Sequence, residues 1–202
     1  MWMNDTHYSG NPALDGMLRD TALSFQRLLE ALRVLAGDAS QNILDLYAKS
    51  GEVAVSQKSD ASPVTDADHA SHRLICESLT SLTPAIPVLS EESTLEQLIG
   101  RRDWPCCWMI DPLDGTREFL EGTGEFTVNI ALIIDAEAVL GLIAAPNRGY
   151  LDLGVPGWGA RRFPLFSDGP GETLSTRRLD PNQPLIMCAS ARHREERVQM
   201  ML

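Results

Sequence analysis

An α+β fold, with helices early in the chain and a largely antiparallel sheet after them, follows from three features of the sequence. Apolar residues between Thr21 and Tyr47 recur every three or four positions, as a helix with one buried face requires. From Pro87 onward the chain breaks into short apolar runs joined by turn formers, the pattern of adjacent strands. Helical segments first and a run of strands second define a layered fold mixing helices with a sheet.

Taken in order, residues 1–20 are expected to be a flexible extension. The helix predicted over 21–47 carries its apolar face on Leu28, Leu29, Leu32, Leu35, Ala36, Ala39, Ile43, Leu46 and Tyr47. A short polar stretch, 53–62, leads to Thr65, which can cap a second helix whose third residue is Asp68. That helix carries Ala70, Leu74, Ile75 and Leu79 and stops before Pro84. Strands are predicted over Pro87–Leu89, Cys106–Ile110, Phe126–Ile134 and Ala138–Ala145, the last two forming a hairpin through Asp135-Ala136-Glu137. Leu95–Ile99 reads as a helical turn. Tyr150–Val155 and Trp158–Arg162 pair around Pro156-Gly157, with Phe163–Phe166 following. The turn-rich segment 167–184 marks a boundary, after which Leu185–Ala189 reads as a strand and His193–Leu202 as the start of a helix. The organisation expected is an αβ domain over 21–165 and the start of a second over 166–202.

The 202 residues, 44% of them hydrophobic and 22% charged, are ordinary for a water-soluble globular protein. No apolar run approaches the roughly 20 residues a membrane span needs, and residues 1–16 lack a secretory leader, so a cytoplasmic address is expected. Cys76, Cys106, Cys107 and Cys188 show no C-x-x-C spacing and read as reduced thiols rather than zinc ligands or a disulfide framework. A formal charge of −11 argues against nucleic-acid binding and would repel a phosphorylated substrate unless bound cations reverse the local field.

The chemistry concentrates in residues 106–135. Asp111 and Asp114 share one short turn, directly after an apolar strand and directly before Gly115-Thr116. Pro112 stiffens that turn, and carboxylates so spaced can converge on a hard cation such as Mg²⁺. The backbone N–H groups of Gly115 and Thr116 open a short helix and can receive phosphate oxygens. The duller alternative is that both aspartates merely form the turn.

DPLDGT at 111–116, SEES at 90–93 and SPVTDAD at 62–68, in this order, resemble the Mg²⁺-dependent phosphatases of the inositol monophosphatase superfamily. The longer strings KSDASPVT, PVLSEES and DPLDGTREF…GEFTVNIALI are most similar to its CysQ-type 3′(2′),5′-bisphosphate nucleotidases, over roughly residues 25–200. The resemblance implies the layered αβαβα sugar-phosphatase fold and two or three Mg²⁺ ions. Glu91, Asp111 and the carbonyl of Leu113 would hold the first ion. Asp111 would bridge to a second, held also by Asp114. Thr116 and Asp68 would be the catalytic pair that orients a metal-activated water, and Gly115, Thr116 and Glu91 would meet the substrate. The substrate implied is a phosphorylated nucleotide, adenosine 3′,5′-bisphosphate, hydrolysed to AMP and phosphate as part of sulfur assimilation. A monomer or homodimer is implied, with no nucleic-acid partner.

Other readings stay open beside these. Asp68 also reads as a helix-capping acid, Lys58 as either a balancing charge or a surface lysine, Glu92 as an acid behind the site, and His193 as a residue of a solvated helix in preference to a substrate contact. The family pattern continues through a Trp-Asp-x-Ala motif whose Asp is a further ligand of the second ion, and these residues contain no Trp after Trp158 and no Asp after Asp180. The second αβ unit is therefore expected to be incomplete. An inositol-monophosphatase-type sugar phosphatase, or an impaired metal-binding remnant, are the alternative functions.

Overall fold

Helices cover one face of a long mixed sheet in the computed structural model, which describes residues 10–48, 55–57, 63–178 and 180–184. The first helix, α1 (Pro12–Asp20), starts where Asn11 accepts hydrogen bonds from the Ala13 and Leu14 N–H groups, with Pro12 at the position that needs no donor. Leu14, Met17 and Leu18 lie on one face and are buried in the core. The expected flexible extension over 1–20 is thus corrected for its described part: this capped amphipathic segment is packed.

Helix α2 (Phe25–Tyr47) is capped by Ser24, and the leucine face read from the sequence is the face it buries. A short antiparallel pair, β1 (Val55–Gln57) and β2 (Pro63–Thr65), then leads into α3 (Asp66–Leu82). The polar stretch 53–62 gave no sign of this pair. Helices α2 and α3 pack on each other, α2 lying against the middle of the main sheet and α3 against its first two strands.

Among the described residues the sheet has seven strands in sequential order: β3 (Val88–Ser90), β4 (Cys106–Asp114), β5 (Thr127–Ile134), β6 (Glu137–Ala145), β7 (Tyr150–Val155), β8 (Gly159–Pro164) and β9 (Glu172–Leu174). Among the described residues only β3 and β4 are parallel; every other pairing is antiparallel. The short helix α4 (Thr116–Leu120) interrupts the path from β4 to β5. Asp135 and Ala136 both adopt left-handed φ values, 50° and 64°, the mirror-image turn that a tight hairpin favours. Strand β9 lies beyond the domain boundary expected at 165/166 yet extends the same sheet. The predicted strand at 185–189 and helix from His193 lie outside the described residues, as do Lys58 and Cys188.

Alternation along the strands decides what faces the helices. Val128, Ile130 and Leu132 of β5 and Leu151, Leu153 and Val155 of β7 point inward and are buried, together with Trp108 of β4. Tyr47, Phe119 and Phe126 form an aromatic cluster with ring centroids 5.0–5.4 Å apart, which fastens α4 between the end of α2 and the start of β5. The opposite sheet face exposes Met109 and Ile143, and further out carries the bidentate Arg162–Asp152 pair. Among the described residues no helix is long and apolar enough to cross a membrane.

Candidate metal centre

The parallel pairing of β3 with β4 is the local event that builds the site. Ser90, the last residue of β3, stands opposite Ile110, so Glu91 leaves the sheet beside Asp111, which continues in β4 opposite Asn129 of β5. Neighbouring strands run ~4.8 Å apart. The Glu91 N–H donates to the Ile110 carbonyl at 3.2 Å, carrying the pairing one step past the strand.

Strand β4 then bulges. Its register with β5 shifts between Asp111, opposite Asn129, and Asp114, opposite Thr127. Within the bulge the Leu113 N–H donates to Asp111 Oδ1 at 3.3 Å, a local turn that fixes the Asp111 carboxylate against its own backbone. Asp114 is exposed, and its Oδ2 accepts a hydrogen bond from the Asn129 side-chain amide at 3.2 Å. Gly115 follows with φ +95°, and a Cβ there would come within 2.7 Å of the Glu125 carbonyl. Only glycine fits that corner.

Thr116 opens α4. Its hydroxyl lies 3.2 Å from the Leu113 carbonyl and 3.4 Å from Asp68 Oδ1, the second distance being long for a hydrogen bond. Asp68 is 4% exposed, so the catalytic pair read from the sequence is brought together at the inner wall of the site. The Leu113 carbonyl keeps one lone pair free of Thr116.

Asp111 sits at the centre of this group. Burial first, then the charges of Glu91 and Asp114, push its pKa up to about 7; the Leu113 N–H opposes the shift and Asp68 adds to it. A carboxylate held among like charges in partial burial is relieved by a cation, and the donor set of carboxylate and carbonyl oxygens suits Mg²⁺. The residues therefore fit the ion. They do not form a closed cage: among the described residues, no three His, Cys, Asp or Glu side chains already converge as metal ligands. Glu91, Asp111 and Asp114 are neighbours in charge and in backbone position, with Glu91 and Asp114 both exposed.

Three residues at the site were not singled out from the sequence. Ser71, buried on α3, donates to the Pro112 carbonyl at 2.9 Å. His72 Nδ1 lies 2.8 Å from Ser90 Oγ. Asn129 holds Asp114. Each acts across elements, so no local pattern marks it. A cleft of about 870 Å³ runs from Glu91, Asp111 and Asp114 along the outer sheet face past Met109 and Ile143.

A mixed sheet backed by helices thus carries an acid-rich strand end that runs directly into a Gly-Thr corner. The chain belongs to the inositol monophosphatase family, whose model matches residues 25–200. It is 47% identical over 119 residues to the 3′(2′),5′-bisphosphate nucleotidase CysQ of Salmonella typhimurium, a match covering 59% of this chain and 48% of that protein. To the CysQ of Aggregatibacter actinomycetemcomitans it is 35% identical over 175 residues, 87% of this chain and 63% of the relative. Among solved structures, CysQ from Bacteroides thetaiotaomicron, described as a bacterial member of the inositol monophosphatase family, matches with a TM-score of 0.61 and 35% identity over 76% of this chain and 60% of that one. The extragenic suppressor protein suhB from Bartonella henselae matches with a TM-score of 0.63 and 30% identity, covering 75% and 55%. The chain spans roughly half to two thirds of the length of these relatives.

Proposed function

We propose that this chain carries the metal-binding half of a Mg²⁺-dependent phosphatase that removes the 3′-phosphate of adenosine 3′,5′-bisphosphate, giving AMP and phosphate. The observation that carries the proposal is the placement of Glu91, just past the end of β3, beside Asp111 of the parallel strand β4, with Asp114 and the Asp68–Thr116 pair next to them. The nucleotide is favoured over an inositol phosphate by the identity with CysQ nucleotidases. A cytoplasmic setting in sulfur assimilation belongs to the same proposal, with a homodimer as the assembly to test for.

When bound, Mg²⁺ would neutralise phosphoryl oxygens and acidify a water. Glu91, Asp111 and the Leu113 carbonyl would hold one ion, and Asp111 with Asp114 a second. The N–H groups of Gly115 and Thr116 would receive phosphate oxygens; this rests on the individual donors, since five residues of α4 make little helix dipole. Thr116 Oγ1, held between Leu113 and Asp68, would orient the attacking water, with Asp68 Oδ1 drawing proton density from the Thr116 hydroxyl. The water oxygen would bond to phosphorus as the bond to the 3′ oxygen breaks, the water's proton passing by way of Thr116 Oγ1 toward Asp68 and the leaving 3′ oxygen taking up a proton from solvent.

The test is phosphate release from adenosine 3′,5′-bisphosphate, inositol monophosphate and fructose bisphosphate, with and without Mg²⁺. Preference for the nucleotide, abolished by Asp111→Asn, supports the reading; preference for inositol monophosphate overturns the nucleotide assignment. The open arrangement of the acids favours one second reading, a metal-binding remnant without turnover. That reading predicts at most one calorimetric Mg²⁺ site and no hydrolysis of any ester.

A further inference from the structure

One face of α3 meets the site three times. Asp68, Ser71 and His72 stand three and four positions apart, the spacing of side chains that share a helix face. Asp68 faces Thr116 and Ser71 holds Pro112. His72 reaches the other acid-bearing segment, at Ser90 Oγ, 2.8 Å away.

Ser90 is the hub of a closed turn. It ends β3, is 5% exposed, and its Oγ accepts the Glu92 N–H at 3.2 Å. Its own N–H donates to Ser93 Oγ at 3.1 Å, while the Ser93 N–H donates back to the Ser90 carbonyl at 3.1 Å. Glu91 sits inside this turn, its N–H committed to Ile110. The His72 ring is itself wedged, with Cys76 Sγ 3.7 and 3.8 Å from its two nitrogens one turn further along the helix. Burial keeps the ring below its ordinary pKa, so at neutral pH it is a neutral imidazole with one donor and one acceptor nitrogen, able to match a hydroxyl in either tautomer.

We propose that His72 is a positioning residue for Glu91: by pinning the Ser90 hydroxyl to α3, it fixes the 90–93 turn at the distance from Asp68 and Asp111 that the candidate metal centre needs. Its functional consequence rests on the metal-site reading above; the pinning itself does not. One rigid helix then sets the mutual placement of all three motif segments, which are far apart in sequence. Groups behind a metal ligand commonly alter metal affinity about 10–100-fold when removed.

The test uses the 202-residue chain and His72→Ala, His72→Asn and Ser90→Ala, read by amide hydrogen exchange at Glu91 and Glu92, by Mg²⁺ titration calorimetry and by melting temperature. Asparagine puts an amide near the position of Nδ1. Expected for His72→Ala is exchange at Glu92 faster by about tenfold or more and Mg²⁺ affinity lower by about tenfold, both largely restored by His72→Asn. Ser90→Ala should match His72→Ala, and the double variant should add little to either. Unchanged exchange at Glu91 and Glu92 in His72→Ala overturns the proposal. So does an affinity loss that follows melting temperature alone and is not restored by asparagine, since that is what a merely structural histidine gives. Wild-type protein that binds no Mg²⁺ would instead overturn the metal-site reading, and the exchange data would still decide whether His72 holds the turn.

Discussion

The buried hydroxyl of Ser71 donates to the carbonyl of Pro112 at 2.9 Å across 41 positions of sequence. The bond ties the middle of α3 to the turn between Asp111 and Asp114, the part of the chain on which the proposed chemistry depends. Replacing Ser71 with alanine leaves a buried carbonyl without its donor, which costs about 1–3 kcal/mol. Urea unfolding of Ser71→Ala should show a loss of that size, with an unchanged m-value.

Gly115→Ala should be at least as damaging. The left-handed φ of +95° is unfavourable for any residue with a Cβ, and the added carbon would press on the Glu125 carbonyl at 2.7 Å. A loss of about 2 kcal/mol or more is expected in the same unfolding measurement. A variant as stable as the wild type would mean that the corner is built differently.

Thr83 anchors the buried Trp108. Its hydroxyl accepts the indole N–H at 2.8 Å and donates to the Leu79 carbonyl at 3.1 Å, joining the C-terminal end of α3 to β4. Thr83→Val keeps the shape and strands the indole donor, so a loss of about 1–3 kcal/mol is expected, together with a shift in tryptophan emission.

Much of the fold could be read from local pattern, and the failures have physical causes. The α2 leucine face, the Asp135–Ala136 hairpin and the strands from β4 to β8 are each specified within one segment, so periodicity and turn chemistry found them. Strands β1, β2 and β9 are three residues long and hold no period. Helix α1 was missed although Asn11-Pro12 is a start signal, because Gly16 interrupts so short an amphipathic run. At the candidate site, the acids were visible because one turn carries two of them. Ser71, His72 and Asn129 were not, because their contacts span 41, 18 and 15 positions and exist only once the sheet and α3 are packed.

Stability should also report on His72. Its pKa lies below the ordinary 6.5 mainly through burial, reinforced by His69 and Arg73 and opposed by Glu92. The unfolded ring takes up its proton near 6.5 and the folded ring resists until lower pH, so over that interval the unfolded state binds more protons. The contribution of His72 is therefore complete above pH 6.5, is lost as pH falls below it, and levels off below the folded pKa. The difference in melting temperature between wild type and His72→Asn, followed from pH 8 to 5, should shrink as the pH drops; a difference that grows would give the shift the opposite sign.

The central claim is that Glu91, Asp111 and Asp114 hold hard cations. Titration calorimetry of the 202-residue chain with Mg²⁺ at neutral pH, beside the Asp111→Asn variant, tests it most directly. The account predicts saturable binding that Asp111→Asn removes while the fold stays intact by circular dichroism. Absence of binding in the wild type, or equal binding in the variant, would contradict it.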